Sequence, residues 1–95
     1  MTAPRFEYSE DARKALDRLE SEAGDRLWND VCDALELIVT HSDSREARAE
    51  QIRGRDDRVV WKVNVFAGSD AWAVLWHYDQ AGLVVIAWIG RWPPP

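Results

Sequence analysis

The feature that most constrains the fold of this chain is a change in the spacing of its apolar residues near residue 58. Before that point apolar residues recur every three or four positions, which is the period of a helix that buries one face. After it they alternate with other residues or form short apolar runs, as they do in strands of a sheet. The chain therefore predicts an α+β fold in which the helices come first and most of the sheet follows.

The first half predicts a short strand and then two helices. Residues 5–8 alternate polar and apolar side chains, and Ser9 has the residue type that caps a helix. The first helix should end at Gly24, and Asp25 should cap a second helix that ends near Thr40. So short a connection makes the two helices an antiparallel hairpin. The charged residues 41–57 read as a loop, with a helical turn over 45–50.

The second half predicts three strands, over residues 59–66, 71–78 and 83–89, separated by turns rich in Gly, Ser, Asp and Ala. Strands joined by such short turns must run antiparallel. We expect one domain over residues 1–95, in which the N-terminal strand and the helical hairpin pack on an antiparallel sheet with a three-strand C-terminal meander. Residues 92–95 form a proline-rich tail.

Composition narrows the classes of function. Cys32 is the single cysteine and is expected to be buried filler, so no disulfide within the chain is possible. No His or Cys pair has metal-ligand spacing and no nucleotide-binding motif is present, so no metal and no cofactor are predicted. The sequence shows no signal peptide and no apolar run of membrane-spanning length, which leads us to expect a cytoplasmic protein without membrane association.

The charge distribution argues against tight nucleic-acid binding. The formal net charge is −5, and residues 1–50 carry 7 Lys and Arg against 13 Asp and Glu. Residues 51–95 are nearly balanced, with 5 basic and 4 acidic residues. A protein that binds the phosphate backbone needs a basic stripe. The one basic cluster comprises Arg53, Arg55, Arg58 and Lys62, and is either a solvated loop or a contact for RNA or an acidic partner.

Alternation along the strands predicts which side chains share a face of the sheet. We expect Val59, Trp61, Val63 and Val65 to face the helices. The opposite face is then expected to carry the aromatic side chains Trp72, Trp76, Tyr78 and Trp88, edged by Lys62, Asn64 and Arg91. An exposed aromatic surface of this kind indicates binding. Three occupants stay open: the protein's own tail or a second copy in a homodimer, a protein partner, or stacked RNA bases.

Four local motifs resemble the RelE/ParE toxin superfamily of bacterial type II toxin–antitoxin modules. They are the strand-to-helix segment 8–16, the Gln51-Ile52-Arg53-Gly54 element, the Trp61-Lys62-Val63 strand start, and the run from Asp79 to Arg91. Together with the order of predicted elements, the resemblance covers roughly residues 5 to 92. It implies a toxin, a cognate antitoxin that covers the sheet face, and in one branch of the family ribosome-dependent mRNA cleavage.

The resemblance also implies a set of catalytic residues for that cleavage. Lys62 and Arg91 match basic positions that contact phosphate, and the chemistry would be metal-independent. His77 is the acid/base candidate, although a histidine between Trp76 and Tyr78 on an apolar strand can equally be structural. Substrate or partner contacts would come from Trp72, Trp76, Trp88, Asn64, Arg53 and Arg55.

Two functions follow, and the sequence ranks them almost evenly. The first is a toxin that cleaves ribosome-bound mRNA as an endoribonuclease. The second is a non-catalytic module of the same fold that acts by protein binding, as the branch that targets DNA gyrase does. The middle strand reads Ala71-Trp72-Ala73-Val74, where the family usually carries an arginine, and this favours the second function.

Overall fold

The computed structural model describes residues 6–54, 56–67 and 70–94. Arg5, Arg55, Gly68 and Ser69 lie outside the described residues. The chain forms an α+β domain with two helices and a five-strand mixed sheet in the order β1-β5-β4-β3-β2. The elements are β1 (Phe6–Tyr8), α1 (Glu10–Glu22), α2 (Asp25–Thr40), β2 (Glu50–Arg53), β3 (Val59–Ala67), β4 (Asp70–Tyr78) and β5 (Val84–Arg91).

The two helices form where the helical spacing predicts them. Ser9 caps α1, and its side-chain oxygen accepts a hydrogen bond from the Ala12 N–H at 3.1 Å. The N-cap of α2 is Gly24 and not Asp25, so the prediction for Asp25 was wrong. Asp25 is instead the first helical residue, where its carboxylate meets the positive end of the helix dipole. The predicted end of α2 at Thr40 is confirmed.

The sheet differs from the prediction at its two edges. The meander of β3, β4 and β5 is antiparallel as expected, but β1 joins β5 in parallel. Residues 50–53, predicted to be loop, form β2 and pair antiparallel with residues 59–62. Their side chains are mostly polar and solvated, so periodicity carried no strand signal; the open backbone edge of β3 supplies the pairing.

Both helices pack on one face of the sheet, which we call the inner face. Its buried side chains include Val63 and Val65 of β3, Val74 and Trp76 of β4, and Ile86 of β5. They pack with helix residues that recur at helical spacing, namely Ala12, Leu19, Val31, Ala34, Leu35 and Ile38. The opposite face, which we call the outer face, has no helix on it in the described part of the chain.

The expected orientation of the middle strand was wrong. Trp61 is paired with Trp76, and Val65 with Trp72, so these partners share the inner face. Trp72, Trp76 and Tyr78 therefore lie against the hydrophobic core, not on the outer face. The cause is the hairpin register, because pairing Ala67 with Asp70 leaves a two-residue connection that fixes every later pair.

A β-bulge decides the orientation of the last strand. Leu75 pairs with Trp88 and Trp76 pairs with Ile86, so Ala87 has no partner opposite it. The extra residue reverses the alternation. Val84 and Ile86 consequently join the core together with Ile89, while the predicted outward position of Trp88 is confirmed.

Candidate functional site

The outer face is the candidate site, because it carries Lys62 and Trp88 and no helix of the described residues covers it. Its rows follow from the strand register, in which Lys62 pairs with Leu75 and Leu75 with Trp88. The face comprises Glu50 and Ile52 of β2, Val60, Lys62, Asn64 and Phe66 of β3, Ala73, Leu75 and His77 of β4, and Val85, Trp88 and Gly90 of β5, with Trp92 folded over it.

Lys62 is held and neutralised in this face. Its side chain is only 9% exposed, and its Nζ lies 3.2 Å from the Glu50 Oε2. The ammonium also lies 4.6 Å from the centre of the Trp92 ring, in cation–π geometry. A buried ammonium is stable only with such partners. The arrangement leaves Lys62 little access to a phosphate group.

Glu50 is the anion that the sequence prediction missed. Its Oε2 accepts a hydrogen bond from the Asn64 Nδ2 at 2.6 Å, in addition to the ion pair with Lys62. The bonds from Asn64 and from Lys62 lower the pKa of the Glu50 carboxyl. Asn64, a predicted contact residue, is thus engaged by Glu50. The register that sets Glu50 opposite Lys62 arises from β2, which the sequence does not reveal.

Trp88 and Trp92 form the aromatic part of the outer face. Their rings meet edge to face, with centroids 5.9 Å apart. The Trp88 ring folds over Gly90, where an added Cβ would stand 2.6 Å from a ring carbon of Trp88. Glycine is therefore required at position 90 for this ring position. Trp88 remains half-buried, so part of its ring is available for contact.

His77 lies at the other end of the outer face and is 9% exposed. Its Nδ1 lies 3.0 Å from the Tyr78 carbonyl oxygen, and its Nε2 lies 3.4 Å from the Arg58 Nη1. The two contacts are satisfied together when Nδ1 carries the proton and Nε2 accepts. Since both ring nitrogens are engaged, the geometry supports a structural role for His77.

Arg91 does not join this site. Its strand partner is Trp72, and its guanidinium lies 5.9 Å from the Trp72 ring on the inner face. Both residues line a groove of about 430 Å³ between the sheet and the helical hairpin. In the described part of the chain the Trp72 indole N–H is buried without a hydrogen-bond partner. The expected grouping of Lys62 with Arg91 and Trp72 was wrong, because Arg91 pairs with Trp72 of the inner face, whereas Lys62 pairs with Leu75 of the outer face.

Trp76 belongs to the core and not to a surface. It is 0% exposed, its indole N–H donates to the Ala47 carbonyl oxygen at 2.8 Å, and its ring stacks on Trp61 at 4.7 Å. Tyr78 and Arg48 extend this cluster, since the Arg48 guanidinium donates to the Tyr78 hydroxyl at 2.8 Å. These contacts fasten the 41–49 segment to the sheet. The expected outer-face contact through Trp76 is therefore excluded by its burial.

The remaining predicted contact residues lie apart from the Trp88 cluster. Arg53 is the last residue of β2. Its guanidinium lies 3.5 Å from the Asp57 carboxylate, and both side chains are exposed. Arg55 is outside the described residues. Within the described ranges no group of three or more His, Cys, Asp or Glu residues could hold a metal ion.

The outer face presents aromatic and apolar surface, and the ammonium of Lys62 is already paired with Glu50. The described residues of this face place one neutralised ammonium and one engaged imidazole around a partly exposed aromatic centre. Burial raises the pKa of the Cys32 thiol, and the negative charges of Asp33 and Glu20 raise it further. The thiol is therefore a poor nucleophile. No helix among the described residues is long and apolar enough to cross a membrane.

Comparison of the chain with protein-family models, with curated proteins and with solved structures found no match.

Proposed function

We propose that this protein acts by protein contact, as a toxin-like RelE/ParE-type component of a toxin–antitoxin module without nuclease chemistry. The observation that carries the proposal is the separation of the two expected catalytic cations. Lys62 is neutralised by Glu50 on the outer face, while Arg91 stacks on Trp72 on the inner face. Stabilising a phosphorane needs cationic donors directed at one point, which these two residues do not provide.

The order of elements supports the RelE/ParE part of the proposal. A short strand, two helices and a C-terminal antiparallel meander follow one another as the resemblance implies. The charge supports the non-nuclease part, because a net charge of −5 repels a polyanion such as mRNA.

The proposed partner surface is the outer face around Trp88. Half-buried apolar side chains of Leu75, Val85 and Trp92 surround it, and ionic groups lie at its margins. Such an apolar centre with a polar rim is typical of protein interfaces. An amphipathic helix or extended segment of a cognate antitoxin would cover this surface, and the cellular target, such as DNA gyrase in one branch of the family, would compete for it.

Expression in a bacterial host tests the proposal. Wild-type protein should arrest growth, and Trp88→Ala should relieve the arrest because it removes the aromatic anchor. Phe6→Ala is the matched control, since Phe6 is a partly exposed aromatic residue whose partner Val84 belongs to the inner face. Circular dichroism and thermal unfolding of the purified variants establish that each is folded.

Two outcomes would refute the proposal. One is a wild-type protein that leaves growth unchanged at high expression. The other is a folded Trp88→Ala variant that arrests growth as strongly as wild type, which would move the contact away from the outer face.

A further inference from the structure

The groove between the sheet and the helical hairpin lies on the inner face, apart from the outer-face surface around Trp88. Its volume is about 430 Å³. Pockets of roughly 300–1,000 Å³ with mostly apolar walls and a few polar groups are the usual binding sites of small molecules. The size of this groove therefore fits a small ligand.

Much of the groove wall is apolar and anchored in the core. Leu19 of α1 and Ile89 of β5 line the groove and are buried, whereas Leu27 of α2 and Trp72 of β4 line it and are only half-buried. All four side chains belong to the core cluster or pack against it. The wall is thus held in place before a ligand arrives, and it suits the apolar body of a ligand.

The charged side chains of the groove sum to a positive charge. Arg18 and Arg91 contribute two guanidinium groups, and Glu22 contributes one carboxylate. The chain as a whole carries a formal net charge of −5, so the sign is reversed in this groove. A cleft with an excess of one sign of charge attracts ligands of the opposite sign.

Arg18 is the cation that can bind an anion in the groove. It is exposed, and within the described residues its guanidinium has no ion-pair partner, although Glu22 is one turn further along α1. The Arg91 guanidinium lies 5.9 Å from the centre of the Trp72 ring and covers part of the groove wall. A guanidinium binds a carboxylate through two parallel N–H···O bonds.

The Trp72 indole is the second observation that points to a ligand. Its N–H is buried and has no hydrogen-bond partner in the described part of the chain. Buried N–H donors are normally paired, so an unpaired donor needs an explanation. At the wall of a groove, such a donor is satisfied when a bound molecule brings an acceptor beside it.

We propose that this groove binds a small organic acid. The carboxylate pairs with Arg18, and the apolar body packs on the Trp72 ring between the helices and the sheet. A neutral molecule of the same shape would leave Arg18 without an anion, and a small hydrated anion would leave the apolar wall unfilled. The proposal is independent of the protein contact through Trp88, because the two sites lie on opposite faces of the sheet.

Titration of ¹⁵N-labelled protein with hexanoate at pH 7 tests the proposal by NMR. The chain has six tryptophans, and the Trp72→Phe variant identifies the indole cross-peak of Trp72. Hexanoate should move this cross-peak in a saturable manner. Hexan-1-ol, which lacks the charge, and acetate, which lacks the apolar body, should each bind about tenfold more weakly or worse.

Three variants separate the charge from the apolar wall. Arg18→Gln should weaken hexanoate binding by about tenfold and leave hexan-1-ol binding unchanged. Arg13→Gln is the matched control, because Arg13 is exposed on the same helix and is not part of the groove wall. Ala23→Leu adds bulk at the groove wall and should weaken both probes alike. Circular dichroism establishes that each variant is folded.

Three results would overturn the proposal. The first is a Trp72 cross-peak that hexanoate does not shift up to millimolar concentrations. The second is hexan-1-ol that binds as tightly as hexanoate, which would show an apolar groove without preference for an acid. The third is a folded Arg18→Gln variant that binds hexanoate as wild type does. None of these results bears on the growth assay with Trp88→Ala.

Discussion

Lys62 and Arg91 lie on opposite faces of the sheet. Lys62 shares a row with Leu75 and Trp88, whereas Arg91 shares a row with Trp72 and Val65. The first row faces away from the helices and the second packs toward them. Two cations that the sequence suggests could act on one phosphate are therefore separated by the thickness of the sheet.

The separation changes what each cation does. Lys62 stabilises the outer face through Glu50 and Trp92. Arg91 stacks on Trp72 beside the helical hairpin. Each contact is a local packing contribution.

Replacing Trp76 with Phe should destabilise the fold without affecting the outer face. The change removes the indole N–H that donates a hydrogen bond to the carbonyl oxygen of the buried Ala47, and it leaves a cavity beside Trp61. We expect a loss of about 2–4 kcal/mol in the free energy of unfolding. Urea denaturation measures it, and a loss below about 1 kcal/mol would contradict the burial of Trp76.

Replacing Gly90 with Ala should disturb Trp88. The added methyl group would stand 2.6 Å from the Trp88 ring, so the ring must move or the strand must shift. We expect a loss of about 1–3 kcal/mol and a changed near-ultraviolet circular dichroism spectrum. Gly24→Ala is the matched control, since nothing lies within 4 Å of its added Cβ, and it should stay within about 0.5 kcal/mol of wild type. Equal stability of the two variants would mean that Trp88 does not fold over Gly90.

The Glu50 carboxyl should titrate below its ordinary pKa of 4.5 in the folded protein. Because the folded pKa is lowered, the stabilisation from Glu50 is complete above pH 4.5 and disappears as the pH falls through the folded value. Carboxyl-carbon NMR measures the folded pKa. Asn64→Ala removes a hydrogen bond to the carboxylate, and Lys62→Met removes a hydrogen bond and a positive charge, so each variant should raise the pKa of Glu50. A wild-type Glu50 that titrates at 4.5 would show that the cluster does not form.

Helices and strands were predictable where the spacing of apolar residues is regular. Helix α2 keeps its stripe along its length, and Ser9 is a strong cap, so the two helices were predicted with errors of only a few residues. The segment 50–53 became a strand only because the edge of β3 accepts it. A tertiary contact of that kind leaves no local pattern in Glu-Gln-Ile-Arg.

The site was only partly predictable, because faces depend on register. A two-residue connection between Ala67 and Asp70 fixes the strand register in which Trp61 pairs with Trp76. The length of that connection is the sequence signal that could have placed Trp72 and Trp76 on the inner face. The bulge at Ala87 has no such signal, since neither Gly nor Pro marks it. Glu50 was missed because it lies in β2, and the pairing of β2 with β3 leaves no local pattern in the sequence.

A reconstituted translation reaction with purified protein tests the absence of nuclease chemistry most directly. Primer extension on the ribosome-bound mRNA, with Lys62→Met and Arg91→Gln as comparison variants, reads out any cleavage. The separated and neutralised cations predict that the mRNA stays intact with wild-type protein and with both variants. Cleavage by the wild type that disappears in a folded Lys62→Met variant would contradict a protein that acts by contact alone.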